Sequence, residues 1–501
     1  MGYVAFAKVA LHLSVAAVYG FFIDELYFLA CGEHLAWGYV DFPPLTAVQA
    51  WLTRALFGDS PYSIRLFPAL AGAGLVLVTG AMARRLGGGR FAQGLAAVSI
   101  FVAPVFLAFS TYLSMNPIEA LVWAGGAYVV LRLVQTGDPR LWLAFGLIAG
   151  VGLLNKHTTL VFGFAVVAGL LLTPERRLLF NRWLLLGGGI ALAIALPNLL
   201  WEIGHGFPHT ELLANIRRAG RDVDVGFLAF WKLEVLFLNP AAAAVWVVGL
   251  IGLFRARDLR PARARGWAWV ATIALLFATT PGSHKTYYAA SAYPILIAAG
   301  AVLIERSWSR AGREWWKPAY LGLLLVVGAL AAPTVVPMLP PEAYLRYTNA
   351  IGIGPPRLEN RATNAMPQMF ADRFGWPEMV DAVAGAYASL PPALRARTGI
   401  FANDFGQAGA IDFYGPKRGL PKAISGHLTY WYWGPRGYSG ESLIVLGDRR
   451  EVLEREFEDV RAVAEVGHPY AMRQEHFTVF LCRRPRGWTL ESLWPRVKNW
   501  Q

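Results

Sequence analysis

The feature that most limits what this chain can become is a succession of apolar stretches, each about as long as a bilayer is thick. A spanning helix needs roughly 20 mostly apolar residues. In hydrocarbon its backbone groups must also be satisfied internally. Stretches of this kind occupy residues 3–22, 64–83, 91–110, 117–131, 183–201, 227–254, 287–304 and 318–337. Three shorter ones, at 141–154, 158–173 and 267–280, are by length alone either spans or buried or re-entrant segments. Only 16% of the residues are charged, against about 25% in soluble globular chains. The reading is a polytopic α-helical membrane protein.

Charge placement decides the ambiguous segments. The chain carries 46 Lys+Arg against 33 Asp+Glu, a net +13. If the first span runs from the cytoplasm outwards, the loops holding Arg84/Arg85/Arg90, Arg132/Arg140, Arg176/Arg177/Arg182, the 255–265 cluster and the 306–317 cluster all face inwards, with 17 basic residues between them. The alternate loops hold six: Arg54, Lys156, Arg217, Arg218, Arg221 and Lys285. This is the positive-inside pattern, and it favours about eleven spans, with nine tolerable. The basic excess therefore marks topology, not nucleic-acid binding. No basic n-region precedes the first apolar run, so a cleavable signal peptide is not expected. Lys8, near the inner end of that run, is expected to snorkel. Cys31 and Cys482 are expected to be unpaired thiols.

Residues 338–501 differ in character, with 20 basic and 17 acidic residues after a Pro-rich start. Their patterning predicts a small soluble α/β domain: strand 398–403, helix 404–414, strand 442–447, helix 449–457 and strand 477–483. Asn403 or Asp404 is the expected N-cap. An odd span count puts this domain outside the cytoplasm, following a membrane domain over 1–337.

The outward loop at 24–60 opens DELYFLACGEHLAWGYVDFPPL. It mixes Asp24, Glu25, Glu33, His34, Asp41 and Asp59 with many aromatics, a composition that predicts interfacial helices. Adjacent carboxylates at a membrane boundary are costly unless they are solvated or used. This stretch resembles the first extracytoplasmic loop of GT-C glycosyltransferases of the glycosyltransferase family 39 group. That group includes protein O-mannosyltransferases and the aminoarabinose and galacturonic acid transferases of lipid A. The matching residues are Asp24, Glu25, Tyr27, Gly38, Tyr39, Asp41, Pro43, Pro44 and Leu45. The resemblance continues through GDSPYSIRLFPAL at 58–70, YLSMNP at 112–117, GLLNKHTT at 152–159 and SHKTYYAASAYP at 283–294, covering roughly residues 20–305.

The resemblance implies a GT-C type membrane enzyme. Such an enzyme transfers one sugar from a polyprenyl-phosphate donor to an acceptor hydroxyl or phosphate, usually with inversion. It implies Asp24 as general base, with Glu25 assisting the acceptor. A carboxylate of ordinary pKa, near 4, would accept the proton late, as the new bond forms. Lys285, with His284, Lys156 and Tyr287, is the expected binding set for the donor phosphate, where a cation offsets developing negative charge. Asp41, Asn116, Tyr27 and His34 are the expected acceptor or sugar contacts. Where many relatives place an acidic residue in the second outward loop, this chain has Asn116, followed by Glu119. Asn is neither a base nor a strong metal ligand, so no cofactor is expected and a divalent metal is not supported. The expected partners are the lipid-linked donor, a lipid or glycan acceptor and membrane lipids.

Other constellations carry less. Glu202, His205 and His209 form a weak metal pattern and read better as a polar lid. The aromatics of SGHLTYWYWGPRGY at 425–438 suit either a sugar face or packing against the membrane domain. A lipid-linked-glycan flippase or transporter would instead show ionisable groups at mid-membrane and broken helices. Here the acids gather at one face, with Lys232 and Glu234 the main exceptions. A multi-pass protein of a bacterial inner membrane with its site on the outer face is the expectation.

Overall fold

The computed structural model describes residues 1–223, 225–255, 259, 265–278, 285–354, 357 and 359–500. Its membrane part begins with α1 (Gly2–Ser14). The first outward loop forms α2 (Ile23–Glu33) and α3 (Leu45–Phe57). A single turn at Pro61–Ile64 then leads into α4 (Leu66–Arg85), followed by α5 (Arg90–Val102), α6 (Pro104–Phe109), α7 (Asn116–Thr136), α8 (Leu141–Asn155) and α9 (Thr159–Leu171). Next come α10 (Arg182–Gly204), α11 (Pro208–Ala219), α12 (Phe227–Phe237), α13 (Ala243–Arg255), α14 (Arg265–Ala278), α15 (Tyr293–Arg310) and α16 (Trp316–Val335). By length and composition five helices can cross a bilayer, or six if a bent pair counts as one span. Helices of 13 to 15 residues, α5, α8, α9 and α14, stand where other crossings were read.

Three expected spans are interrupted, each for a physical reason. The 3–22 run ends its helix at Ser14. The guanidinium of Arg65 takes up the carbonyls of Ala16 and Gly20, so the chain can turn inside the protein without orphaned acceptors. Lys8 does not snorkel. It is fully buried and donates to the Phe106 carbonyl at 2.8 Å, while a ring nitrogen of His12 lies 3.0 Å from the Leu107 carbonyl. These two side chains satisfy carbonyls of α6, the short helix created where Pro104 breaks the 91–110 run. The 227–254 run bends by 99° between α12 and α13. The break falls at Asn239, whose φ of 72° is left-handed, and at Pro240.

The expected inward loops meet at one end of the bundle. Glu305 accepts hydrogen bonds from the backbone of Gly89 and Ala92, and Arg306 donates to the Leu86 and Gly87 carbonyls. Gln135 reaches the Arg85 carbonyl, and Trp142 the Leu178 carbonyl. Helix contacts rest on small residues. A Cβ on Gly300 would lie 1.7 Å from the Val245 carbonyl oxygen, and one on Gly249 1.9 Å from that of Leu296. Only glycine lets α13 and α15 pack this closely.

The C-terminal region holds α17 (Pro341–Ile351), α18 (Trp376–Ala388), α19 (Phe405–Tyr414), α20 (Arg450–Glu456) and strands β1 (Thr398–Ala402), β2 (Ser442–Leu446), β3 (Phe457–Val466) and β4 (Phe477–Pro485). The sheet order is β1-β2-β4-β3, with β1 and β2 parallel and the other pairs antiparallel. Asp404 caps α19 by accepting from the Gly406 amide at 2.7 Å. Both cysteines are free and buried.

Helix α2 is not interfacial. Every residue from Glu25 to Gly32 is buried, and Leu26, Tyr27 and Phe28 share one hydrophobic core with Trp376, Ile411 and Tyr430 of the C-terminal region. The aromatics of α2 therefore face protein, whereas Trp37, Trp51 and Phe57 of the same loop are exposed.

Candidate active site

Helix α2 starts where three parts of the chain meet. The Ile23 amide donates to the Asp372 carbonyl at 3.0 Å, and Gly20 is pressed so close to Arg373 that a Cβ would lie 2.5 Å from its carbonyl oxygen. Arg373, itself buried, donates to Thr111 Oγ1 at 2.9 Å. Beside this junction lies a cavity of about 410 Å³. Asp24, Asp41, Arg221, Lys285 and Tyr287 line it, together with a strap from the C-terminal region carrying Arg357, Glu359, Arg361, Gln368 and Asp372. An apolar wall of Val105, Phe109, Phe237, Val335 and Met369 lies alongside, and Tyr112 and Thr363 also line the cavity.

The two adjacent carboxylates have different surroundings. Glu25 does not line the cavity. Arg65 grips it at 2.6 and 3.0 Å, and the amides of Phe22 and Leu113 donate to it at 2.8 and 2.9 Å. Burial opposes its charge, but Arg65 holds the carboxyl below the usual range. Asp24 faces the cavity and, among the described residues, accepts no hydrogen bond. Burial pushes its pKa up to about 6, against the pull of Lys285. It is thus a stronger base than the carboxylate of ordinary pKa expected from sequence.

A cluster of opposite charge lies across the cavity. Lys285 donates to Glu359, whose other oxygen accepts from Gln368 at 2.8 Å and lies 3.4 Å from Arg361 Nε. Arg357 Nε holds the Glu359 backbone carbonyl at 2.9 Å. Burial works against the Glu359 charge, but Lys285, Arg361 and Arg221 outweigh it and bring the carboxyl down to about 2. A carboxylate therefore occupies an anion site framed by cations.

The other expected residues scatter. Asp41 lines the cavity and accepts from the Tyr27 hydroxyl at 2.8 Å, with burial pushing it up to about 7. Tyr27 is buried behind it, bonded also to Thr429. Asn116 and Lys156 bond each other at 3.0 Å in a separate network, where Lys156 pairs with Glu119 at 2.7 Å and sits over the Tyr288 ring. His34 stacks on Trp433, 4.4 Å between centroids, away from the cavity lining. His205 stacks on Trp201 and His209 packs on His157. His284 lies outside the described residues.

Sequence reasoning passed over Arg357, Glu359, Arg361, Gln368 and Asp372. The available signal was the alternating Arg-x-Glu-x-Arg at 357–361, which lies ahead of the first strand read in the C-terminal region.

Residues 41–201 match the family described as dolichyl-phosphate-mannose-protein mannosyltransferase. The lipid A galacturonosyltransferase RgtD of Rhizobium johnstonii is 26% identical over 278 residues, which are 54% of this chain and 57% of the relative. The chain thus spans little more than half the length of that curated relative. The crystal structure of ArnT from Cupriavidus metallidurans bound to undecaprenyl phosphate superposes with a TM-score of 0.60 at 16% identity, covering 95% of this chain and 97% of ArnT. The apo form gives 0.59 at 18% identity with the same coverage. The fold is that of the GT-C membrane glycosyltransferases, with a small sheet in the C-terminal region.

Proposed function

We propose that this chain is an inverting membrane glycosyltransferase. It moves one sugar from a polyprenyl-phosphate donor to a hydroxyl or phosphate of a lipid or glycan acceptor, on the extracytoplasmic face. The observation that carries this reading is one cavity in which a pKa-raised Asp24 faces the Lys285–Glu359–Arg361 cluster, with an apolar wall alongside. The wall suits a prenyl chain and the cations suit its phosphate. Asp24 takes the acceptor proton as the acceptor oxygen bonds to the anomeric carbon. The bond from that carbon to the phosphate oxygen breaks, and polyprenyl phosphate leaves with the electron pair, balanced by Lys285 and the arginines. Glu359 holds the cations until the phosphate replaces it. The lipid A in the name of RgtD and the undecaprenyl phosphate bound in the ArnT structure agree with this chemistry.

The 99° bend between α12 and α13 favours a lipid-linked-glycan flippase, since transporters use discontinuous helices at their sites. One assay separates the two. Purified protein in detergent, where no sealed compartment exists, is given a panel of radiolabelled polyprenyl-phosphate sugars with lipid and glycan acceptors. Transfer by the wild type and a loss of about 100-fold or more in Asp24→Asn are expected. Equal transfer by both proteins removes Asp24 as the base, and no transfer by the wild type removes the enzyme.

A further inference from the structure

We infer that Asp372 binds a hydroxyl group of the donor sugar beside Asp24 and thereby sets which sugar the site accepts, an inference that rests on the glycosyltransferase reading above. Asp372 is fixed in place. Its backbone carbonyl receives the Ile23 amide and the Trp376 indole N–H, both at 3.0 Å. The next residue, Arg373, is anchored on Thr111. The side chain therefore holds a constant relation to Asp24, whose own helix starts on that same carbonyl.

The carboxyl itself is left unused by the protein. Asp372 is 2% exposed and lines the cavity, yet its Oδ1 has no hydrogen-bond partner among the described residues. A buried polar atom without a partner is costly, and in a ligand cavity the ligand is the natural partner. The phosphate end of the cavity already has Lys285 and Arg361 around Glu359, and the prenyl wall offers nothing polar. What remains between those cations and the base is the place of the sugar.

The state of the carboxyl fits that ligand. Burial raises its pKa well above the usual range. Arg361 opposes the shift, whereas Asp24, Glu359 and Glu475 reinforce it. A protonated carboxyl both donates and accepts, as a sugar hydroxyl does, so the two are complementary. A group that hydrogen-bonds a substrate hydroxyl also discriminates against analogues lacking it.

The test uses the full-length protein and the polyprenyl-phosphate sugar that the wild type transfers fastest among uronic, amino and neutral donors. Wild type, Asp372→Ala and Asp372→Asn are each assayed with that donor and with its monodeoxy analogues. Binding of sugar-free polyprenyl phosphate and thermal unfolding are measured in parallel. Asp372→Ala is expected to lose about 10-fold in kcat/KM. One deoxy donor should cost the wild type a similar factor and cost Asp372→Ala nothing further. Asp372→Asn, which still donates and accepts, should recover part of the loss, with phosphate binding unchanged within about 2-fold. Additive losses with every deoxy donor would overturn the inference. So would an Asp372→Ala protein whose phosphate binding falls together with its unfolding temperature, since that marks a structural role. A wild type that transfers from no donor brings down the glycosyltransferase reading and this inference together.

Discussion

Asp24 and Glu25 are neighbours in sequence, but removing each should damage a different property. Glu25 and Arg65 are 0% and 1% exposed and bonded to each other. Neutralising one partner leaves a buried charge uncompensated, at a cost of about 3–5 kcal/mol. Glu25→Gln should therefore unfold at a clearly lower temperature in detergent. Asp24→Asn removes a carboxyl that burial already disfavours in its charged form, so its melting should match or exceed that of the wild type while transfer is lost. The pH profile follows from the same burial. With the Asp24 pKa raised to about 6, the base is ionised at pH 7, and kcat/KM should fall as pH drops through about 6. Glu359, at about 2, stays ionised across that window and adds no limb. A flat profile from pH 7.5 to 5 would contradict the assignment of Asp24. The D-E pair was visible in sequence as a pair. The resemblance also singled out Asp24 as the base, but the withdrawal of Glu25 from the cavity was not legible, because it depends on Arg65, forty residues away, and on the Leu113 amide.

Regular alternation made β1, β2, β4 and the two helices beside them legible in the C-terminal region, to within one or two residues. Strand β3 was missed because FEDVRAVAEV lies at the sheet edge, where charged side chains blur the two-residue period. The placement of α2 was misjudged for a different reason. An aromatic-rich, partly charged helix has the composition of an interfacial one, and only its partner reveals otherwise. That partner is α19, whose glycines accept α2 at close range. A Cβ on Gly409 would lie 2.8 Å from the Leu26 carbonyl carbon, and one on Gly406 2.2 Å from Ile23 Cγ1. Gly409→Ala should force the helices apart at about 1–3 kcal/mol and move Asp24 with α2, lowering both melting temperature and transfer. Gly385→Ala in α18 is the control. Its Cβ would meet nothing within 4 Å, so helix propensity alone should raise stability by about 0.5–1 kcal/mol. Equal behaviour of the two variants would mean that the α2–α19 contact does not hold the site.

For the molecule as a whole, the +13 is an orientation signal with a structural counterpart. The basic loops around Arg85, Arg140, Arg177 and Arg306 converge on one end of the bundle through Glu305, Gln135 and Trp142. Asp24, Lys285 and the C-terminal strap together form the cavity. The cavity could not be read from the membrane segments alone, because much of its polar lining comes from residues 357–372, beyond the last span. On the orientation proposed above, the basic end lies in the cytoplasm and the C-terminal region outside. Native Cys31 and Cys482 are fully buried, so added cysteines can be read against a low background. Glu458→Cys, on exposed β3, should react with a membrane-impermeant maleimide on intact cells. Arg313→Cys, between α15 and α16 at the basic end, should react only after the membrane is opened. The reverse pattern would place the cavity in the cytoplasm, where nucleotide sugars are at hand and a lipid-linked donor would have no advantage. Orientation therefore stands or falls in this labelling experiment, and the donor class in the transfer assay with polyprenyl-phosphate sugars.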